Sequence, residues 1–187
     1  MKSRMNRREA LQQAGRFAGV AALWASLPMR SWAALPAPAG WSPGEEALLT
    51  LIGDTILPAT PGSPGAGAVE IGRFIAMMAN DCQEPGVAAT IRLGLRDIEG
   101  ASRAKAGRSF SELAPAEREA VLTAYETRAP GVAAGWAVNP FRKIKELTIL
   151  GYFTSEPGAT TAVRYDPVPG AYHGSVRLGP GDRCWAT

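Results

Sequence analysis

The side chains that could carry chemistry are few in this chain of 187 residues, and their spacing assembles no site. His173 is the single histidine, set between Tyr172 and Gly174 in a stretch rich in glycine and proline. One imidazole without partners at ligand spacing does not make a metal centre. The two cysteines, Cys82 and Cys184, are far apart and form no zinc, iron–sulfur or haem-attachment pattern. No Gly-x-Gly-x-x-Gly opens a helix, and no Gly-x-Ser-x-Gly elbow is present. Carboxylate pairs such as Asp54 with Glu70 have no spacing signal and are assigned to surface charge. The chain is therefore expected to have no catalytic, cofactor or metal residues of its own. An acid–base pair assembled only in space would escape this reading.

The spacing that does point to a function lies at the N-terminus. Lys2, Arg4, Arg7, Arg8 and Arg16 precede an apolar run of 11 residues from Phe17 to Leu27, then Ser31-Trp32-Ala33-Ala34. A basic start, a short apolar run and small residues at a cleavage point form an export signal, here residues 1–33 with cleavage expected after Ala33. The run is about half the roughly 20 residues a membrane span needs. Arg7-Arg8 followed by Leu11 resembles the twin-arginine motif, although Asn6 and Ala10 replace its usual hydroxyl and aromatic residues. The mild h-region, rich in alanine and glycine, favours that route over the ordinary secretory one. The expected location is the periplasm.

Removing this signal reverses the charge argument. The whole chain has 20 basic and 17 acidic residues, but six of the basic ones and one acidic one lie before Ala34. What remains has 14 basic against 16 acidic residues, which gives no ground for nucleic-acid binding. In an oxidising compartment Cys82 and Cys184 could pair. A buried free Cys82 and an unpaired Cys184 are the competing readings.

The rest of the chain reads as all-α, about five helices packed in one domain. Residues 34–41 are a Pro-stiffened linker, 42–155 the helical domain, and 156–187 a long irregular C-terminal segment rich in aromatics, glycine and proline. Ser42-Pro43-Gly44-Glu45 has the form of a capping box with proline in the first turn. Leu48, Leu49, Leu51, Ile52 and Ile56 follow at helical spacing, and Pro58 ends that helix. A second helix is expected from Val69 to about Asp81, with Met77 and Met78 assigned to packing. A third runs from about Pro85 to Ala101 on Val87, Ile91, Leu95 and Ile98. A fourth runs from Pro115 to about Thr127. A fifth opens at Asn139-Pro140 and runs through Ile144, Leu147, Ile149 and Leu150 towards Phe153. No segment alternates with a period of two, so no sheet is expected.

The last segment lacks a helical period but is not disordered in composition. Seven of the 11 aromatic residues after Ala33 lie from Trp136 onward. Aromatic rings drive burial, so this tail is expected to be held against its own helices or another protein. Tyr152, Phe153, Arg164, Tyr165 and Trp185 are the candidate partner-interface residues, since aromatics and arginine anchor interfaces. For Tyr152 and Phe153, closure of the helical core is the alternative.

Several segments resemble the gluconate 2-dehydrogenase subunit 3 family. The most specific is Leu147-Thr-Ile-Leu-Gly-Tyr-Phe-Thr-Ser-Glu-Pro-Gly-Ala-Thr160, continued by Arg164-Tyr165-Asp166-Pro167-Val168-Pro169-Gly170 and the terminal Trp185-Ala186-Thr187. Leu57-Pro58-Ala59-Thr60-Pro61-Gly62 resembles the family's first loop, and Phe110-Ser111-Glu112-Leu113 with Glu117-Arg118 its middle helix entry. The likeness covers nearly the whole chain after the signal. It implies a non-catalytic small subunit of a membrane-associated sugar or sugar-acid dehydrogenase. In such a complex a flavoprotein of the glucose–methanol–choline type holds FAD, and a multihaem cytochrome c is the third subunit. The small subunit carries the export signal and reaches the membrane only through the complex. A free-standing periplasmic binding protein is the competing class.

Overall fold

A computed structural model describes residues 39–128, 139–166, 168, 170–171 and 174–185. The residues expected to direct export, Arg7, Arg8 and Leu11, lie outside these, as do Trp136, Tyr172 and His173. Five α-helices form among the described residues: α1 (Pro43–Ile56), α2 (Ile71–Asp81), α3 (Val87–Ala106), α4 (Pro115–Arg128) and α5 (Pro140–Thr154). No strand is present among them, and the extended pairing is limited to two isolated bridges, Thr60 with Ser63 and Arg164 with Trp185. The all-α expectation holds.

The helix starts are chemical rather than merely periodic. Ser42 Oγ accepts from the Glu45 N–H at 3.2 Å while the Glu45 carboxylate accepts from the Ser42 N–H at 2.8 Å. That backbone donor is the main reason the Glu45 carboxyl is held below the ordinary glutamate range. Asn139 caps α5 by accepting from the Phe141 and Arg142 N–H groups at 2.9 and 3.2 Å. Ser109 and Glu112 form a second capping box on a short 3-10 turn, Phe110–Glu112, between α3 and α4.

The core is shared by all five helices. Leu49 and Ile52 of α1, Ile71, Phe74 and Ile75 of α2, Ile91, Leu95 and Ile98 of α3, Val121 and Leu122 of α4, and Phe141, Ile144 and Leu147 of α5 are buried. Met77 and Met78 are half-buried. The helices α1 and α2 make the most extensive pair, and α5 packs on α2 and α3. Helices α1 and α2 meet at Gly72, whose N–H donates to Thr50 Oγ1 at 3.2 Å. Thr50 in turn donates its hydroxyl to the Glu46 carbonyl at 2.9 Å. A Cβ on Gly72 would stand 2.0 Å from that same carbonyl oxygen.

Three boundaries differ from the sequence reading. Helix α3 continues past Ala101 to Ala106, where Gly107 at φ +68° ends it. Its buried stripe extends through Ser102, whose hydroxyl donates to the Arg108 carbonyl at 2.9 Å. The chain also stays helical after α5, ending in a π-type turn at Gly158–Ala162. Ser155 directs that turn by donating to the Tyr152 carbonyl at 2.6 Å and accepting from the Gly158 N–H at 3.2 Å.

The third difference lies at Trp41, which the sequence places in the linker. Trp41 is only 7% exposed. Its indole N–H donates to Asn80 Oδ1 at 3.1 Å, and the Arg92 guanidinium lies 4.4 Å over its ring. Asn80 and Arg92 also donate to the carbonyls of Ala39 and Gly40, at 2.8 and 2.7 Å. Residues 39–41 are thereby fastened to α2 and α3, so they belong to the helical domain.

Candidate partner interface

The five residues expected at an interface separate into two sets. Tyr152 is a core residue, 3% exposed, which matches its core-closing alternative. Its hydroxyl donates to the Pro64 carbonyl and is hydrogen-bonded to Ser63 Oγ. The loop that it grips is itself closed by two bonds, Thr60 N–H to the Ser63 carbonyl at 2.8 Å and Ser63 N–H to the Thr60 carbonyl at 3.2 Å. Asp54, expected as surface charge, accepts from the Gly67 N–H at 3.0 Å, in the 3-10 turn Ala66–Val69 that follows this loop. Two sequence segments remote from each other, 57–65 and 147–156, are thus brought into contact through one tyrosine. A buried phenol needs a polar partner, and the loop carbonyl provides it.

Phe153 points the other way and is 41% exposed, its ring edge-on to Tyr152 at 5.2 Å. It is joined by Ile149 and Leu150, at 46% and 45% exposure. The reason is that α5 buries Ile144, Leu147, Thr148, Gly151 and Tyr152 instead. Thr148 satisfies its hydroxyl on the Ile144 carbonyl at 2.8 Å. Gly151 admits Ile71 and Phe74, whose side-chain carbons would lie 2.4–2.7 Å from a Cβ there. A polar residue and a glycine therefore occupy core positions, and the larger aliphatics are turned to solvent. The result is an apolar ridge on one face of α5, with positions 149 and 153 one turn apart.

Arg164, Tyr165 and Trp185 are exposed in the tail. The tail folds back on itself. The Arg164 N–H donates to the Cys184 carbonyl at 2.7 Å, and the Arg164 guanidinium stacks 4.0 Å from the Trp185 ring. Arg183 donates to the Thr161 carbonyl at 2.7 Å. Cys82 and Cys184 are both free and exposed, so the structure contains neither the bridge nor the buried Cys82.

Reactive groups do not converge elsewhere among the described residues. No three His, Cys, Asp or Glu side chains stand where they could hold a metal ion. The Tyr125 phenol is pushed up to about 12, mainly by burial and in part by the Asp97 carboxylate that accepts from it at 3.3 Å. That keeps it a neutral donor linking α4 to α3. No helix of the described residues is long and apolar enough to cross a membrane.

The chain belongs to the gluconate 2-dehydrogenase subunit 3 family, whose sequence model matches residues 43–170. That span takes in all five helices, the loop gripped by Tyr152 and the start of the tail. No curated protein and no solved structure matches the chain.

Proposed function

We propose that this chain is the non-catalytic small subunit of a heteromeric FAD-dependent sugar or sugar-acid dehydrogenase. In this reading it binds a flavoprotein of the glucose–methanol–choline type and directs its export by the twin-arginine route. FAD belongs to that partner and haem c to a cytochrome third subunit. The complex works in the periplasm on the cytoplasmic membrane. The observation that carries the reading is the ridge of Ile149, Leu150 and Phe153, displayed on a helix within the span that matches the family. Family membership supports a subunit role, and three large apolar side chains on one exposed helix face are what a permanent partner would cover.

Tyr165 and Trp185, the latter stacked with Arg164, extend the proposed docking surface into the tail. Tyr152 acts from behind, holding the 57–65 loop against α5. The variant Ile149→Glu/Phe153→Glu places two charges on the ridge at positions already open to water. Its own unfolding midpoint should stay close to wild type, because exposed substitutions cost within about 0.5 kcal/mol. Its affinity for the flavoprotein should fall by about a hundredfold or more. Leu93→Glu, at an exposed leucine on α3, should leave that affinity unchanged. Equal binding by the ridge variant and the Leu93 variant would remove the ridge from the interface.

A further inference from the structure

The folded-back tail encloses a cleft of about 430 Å³. Three arginines line it, Arg164, Arg177 and Arg183, with one acidic residue, Asp182. Asp182 is turned to its own turn, accepting from the Gly179 N–H at 2.7 Å, and forms no ion pair with an arginine among the described residues. Arg177 makes no hydrogen bond or ion pair among them either. Two net positive charges are thus gathered in one concavity, on a chain that after Ala33 has more acid than base. Like charges held together repel, and an anion between them relieves that repulsion.

The geometry also prepares one of the donors. Stacking on Trp185 occupies the face of the Arg164 guanidinium and leaves its edge N–H groups free, the fork that matches a carboxylate. Around the cleft, Tyr165, Val176 and Leu178 are exposed. A free inorganic anion would leave that apolar rim in water. A polypeptide presenting one acidic side chain covers the rim and neutralises the cleft together.

We infer that the cleft is an oxyanion receptor for a side-chain carboxylate on an acidic segment of the catalytic subunit. The inference rests on the subunit reading above and adds the chemistry of the segment that the partner must present.

The test measures Kd between the full chain after its signal and the flavoprotein subunit, at about 50 and about 500 mM NaCl, where screening differs strongly. Wild type should bind markedly more weakly at the higher salt. Arg177→Gln, which leaves the Arg164–Trp185 stack in place, should weaken binding at low salt by about tenfold and flatten the salt dependence. Arg164→Gln/Arg177→Gln should weaken it further. Wild-type affinity and salt response in both variants would overturn the cleft inference while leaving the subunit reading intact. Failure of wild type itself to bind the flavoprotein would remove both. If the variants kept the flavoprotein but lost binding to phosphatidylglycerol vesicles, the cleft would belong to lipid headgroups and the inference would fall.

Discussion

Gly72→Ala lowers the stability of the helical domain by about 2–4 kcal/mol, whereas Gly100→Ala raises it by about 0.5–1 kcal/mol. Both glycines are inside helices, so propensity alone predicts the same gain for each. Space separates them. A Cβ at Gly100 meets nothing within 4 Å, whereas at Gly72 it meets the Glu46 carbonyl at 2.0 Å and the Thr50 backbone nitrogen at 2.8 Å. Those are main-chain atoms of α1, which cannot swing aside as a side-chain tip can. The two helices must separate, and the Gly72–Thr50 hydrogen bond stretches with them. Urea unfolding of the two variants beside wild type measures both changes. A Gly72 variant as stable as wild type would show that α1 and α2 are not packed this closely.

The second large effect concerns export. Changing Arg7 and Arg8 to lysine keeps both charges but removes the guanidinium forks, and these are not equivalent where planar recognition matters. Under the proposed function, both this chain and its flavoprotein then stay in the cytoplasm. Cell fractionation with flavin fluorescence on the periplasmic fraction reads the outcome. If the flavoprotein still arrives there in the variant, it does not travel with this chain. The rationale is that FAD is inserted into a folded apoprotein in the cytoplasm, so a carrier that exports folded cargo suits it.

All five helices can be read from the sequence, and so can their caps at Ser42 and Asn139. The reason is physical. Both signals are local, a side-chain oxygen beside the first N–H groups and apolar residues three and four apart. What could not be read depends on non-local contact. The core stripe of α5 includes Thr148 and Gly151, which a hydrophobic pattern passes over in favour of Ile149 and Leu150. The end of α3 is disguised in the same way by Ser102, a buried hydroxyl satisfied by a carbonyl six residues on. Trp41 is a single ring after a Pro- and Gly-rich stretch, with no period to reveal its burial.

The candidate interface follows the same division. Arg164, Tyr165 and Trp185 are exposed, and Phe153 is exposed as well, beside Ile149 and Leu150. Tyr152 fits the core-closing alternative, because its hydroxyl finds a carbonyl in a loop almost 90 residues earlier. Residue type suggested an anchor, and only the fold shows what it anchors.

The central claim is that this chain functions bound to a flavoprotein. The most direct test is to purify the tagged chain gently from membranes of its native host and identify what accompanies it. The account predicts a larger partner with the absorption spectrum of FAD, retained through gel filtration with this chain. Recovery of the chain alone, from the soluble periplasm and without flavin, would contradict it.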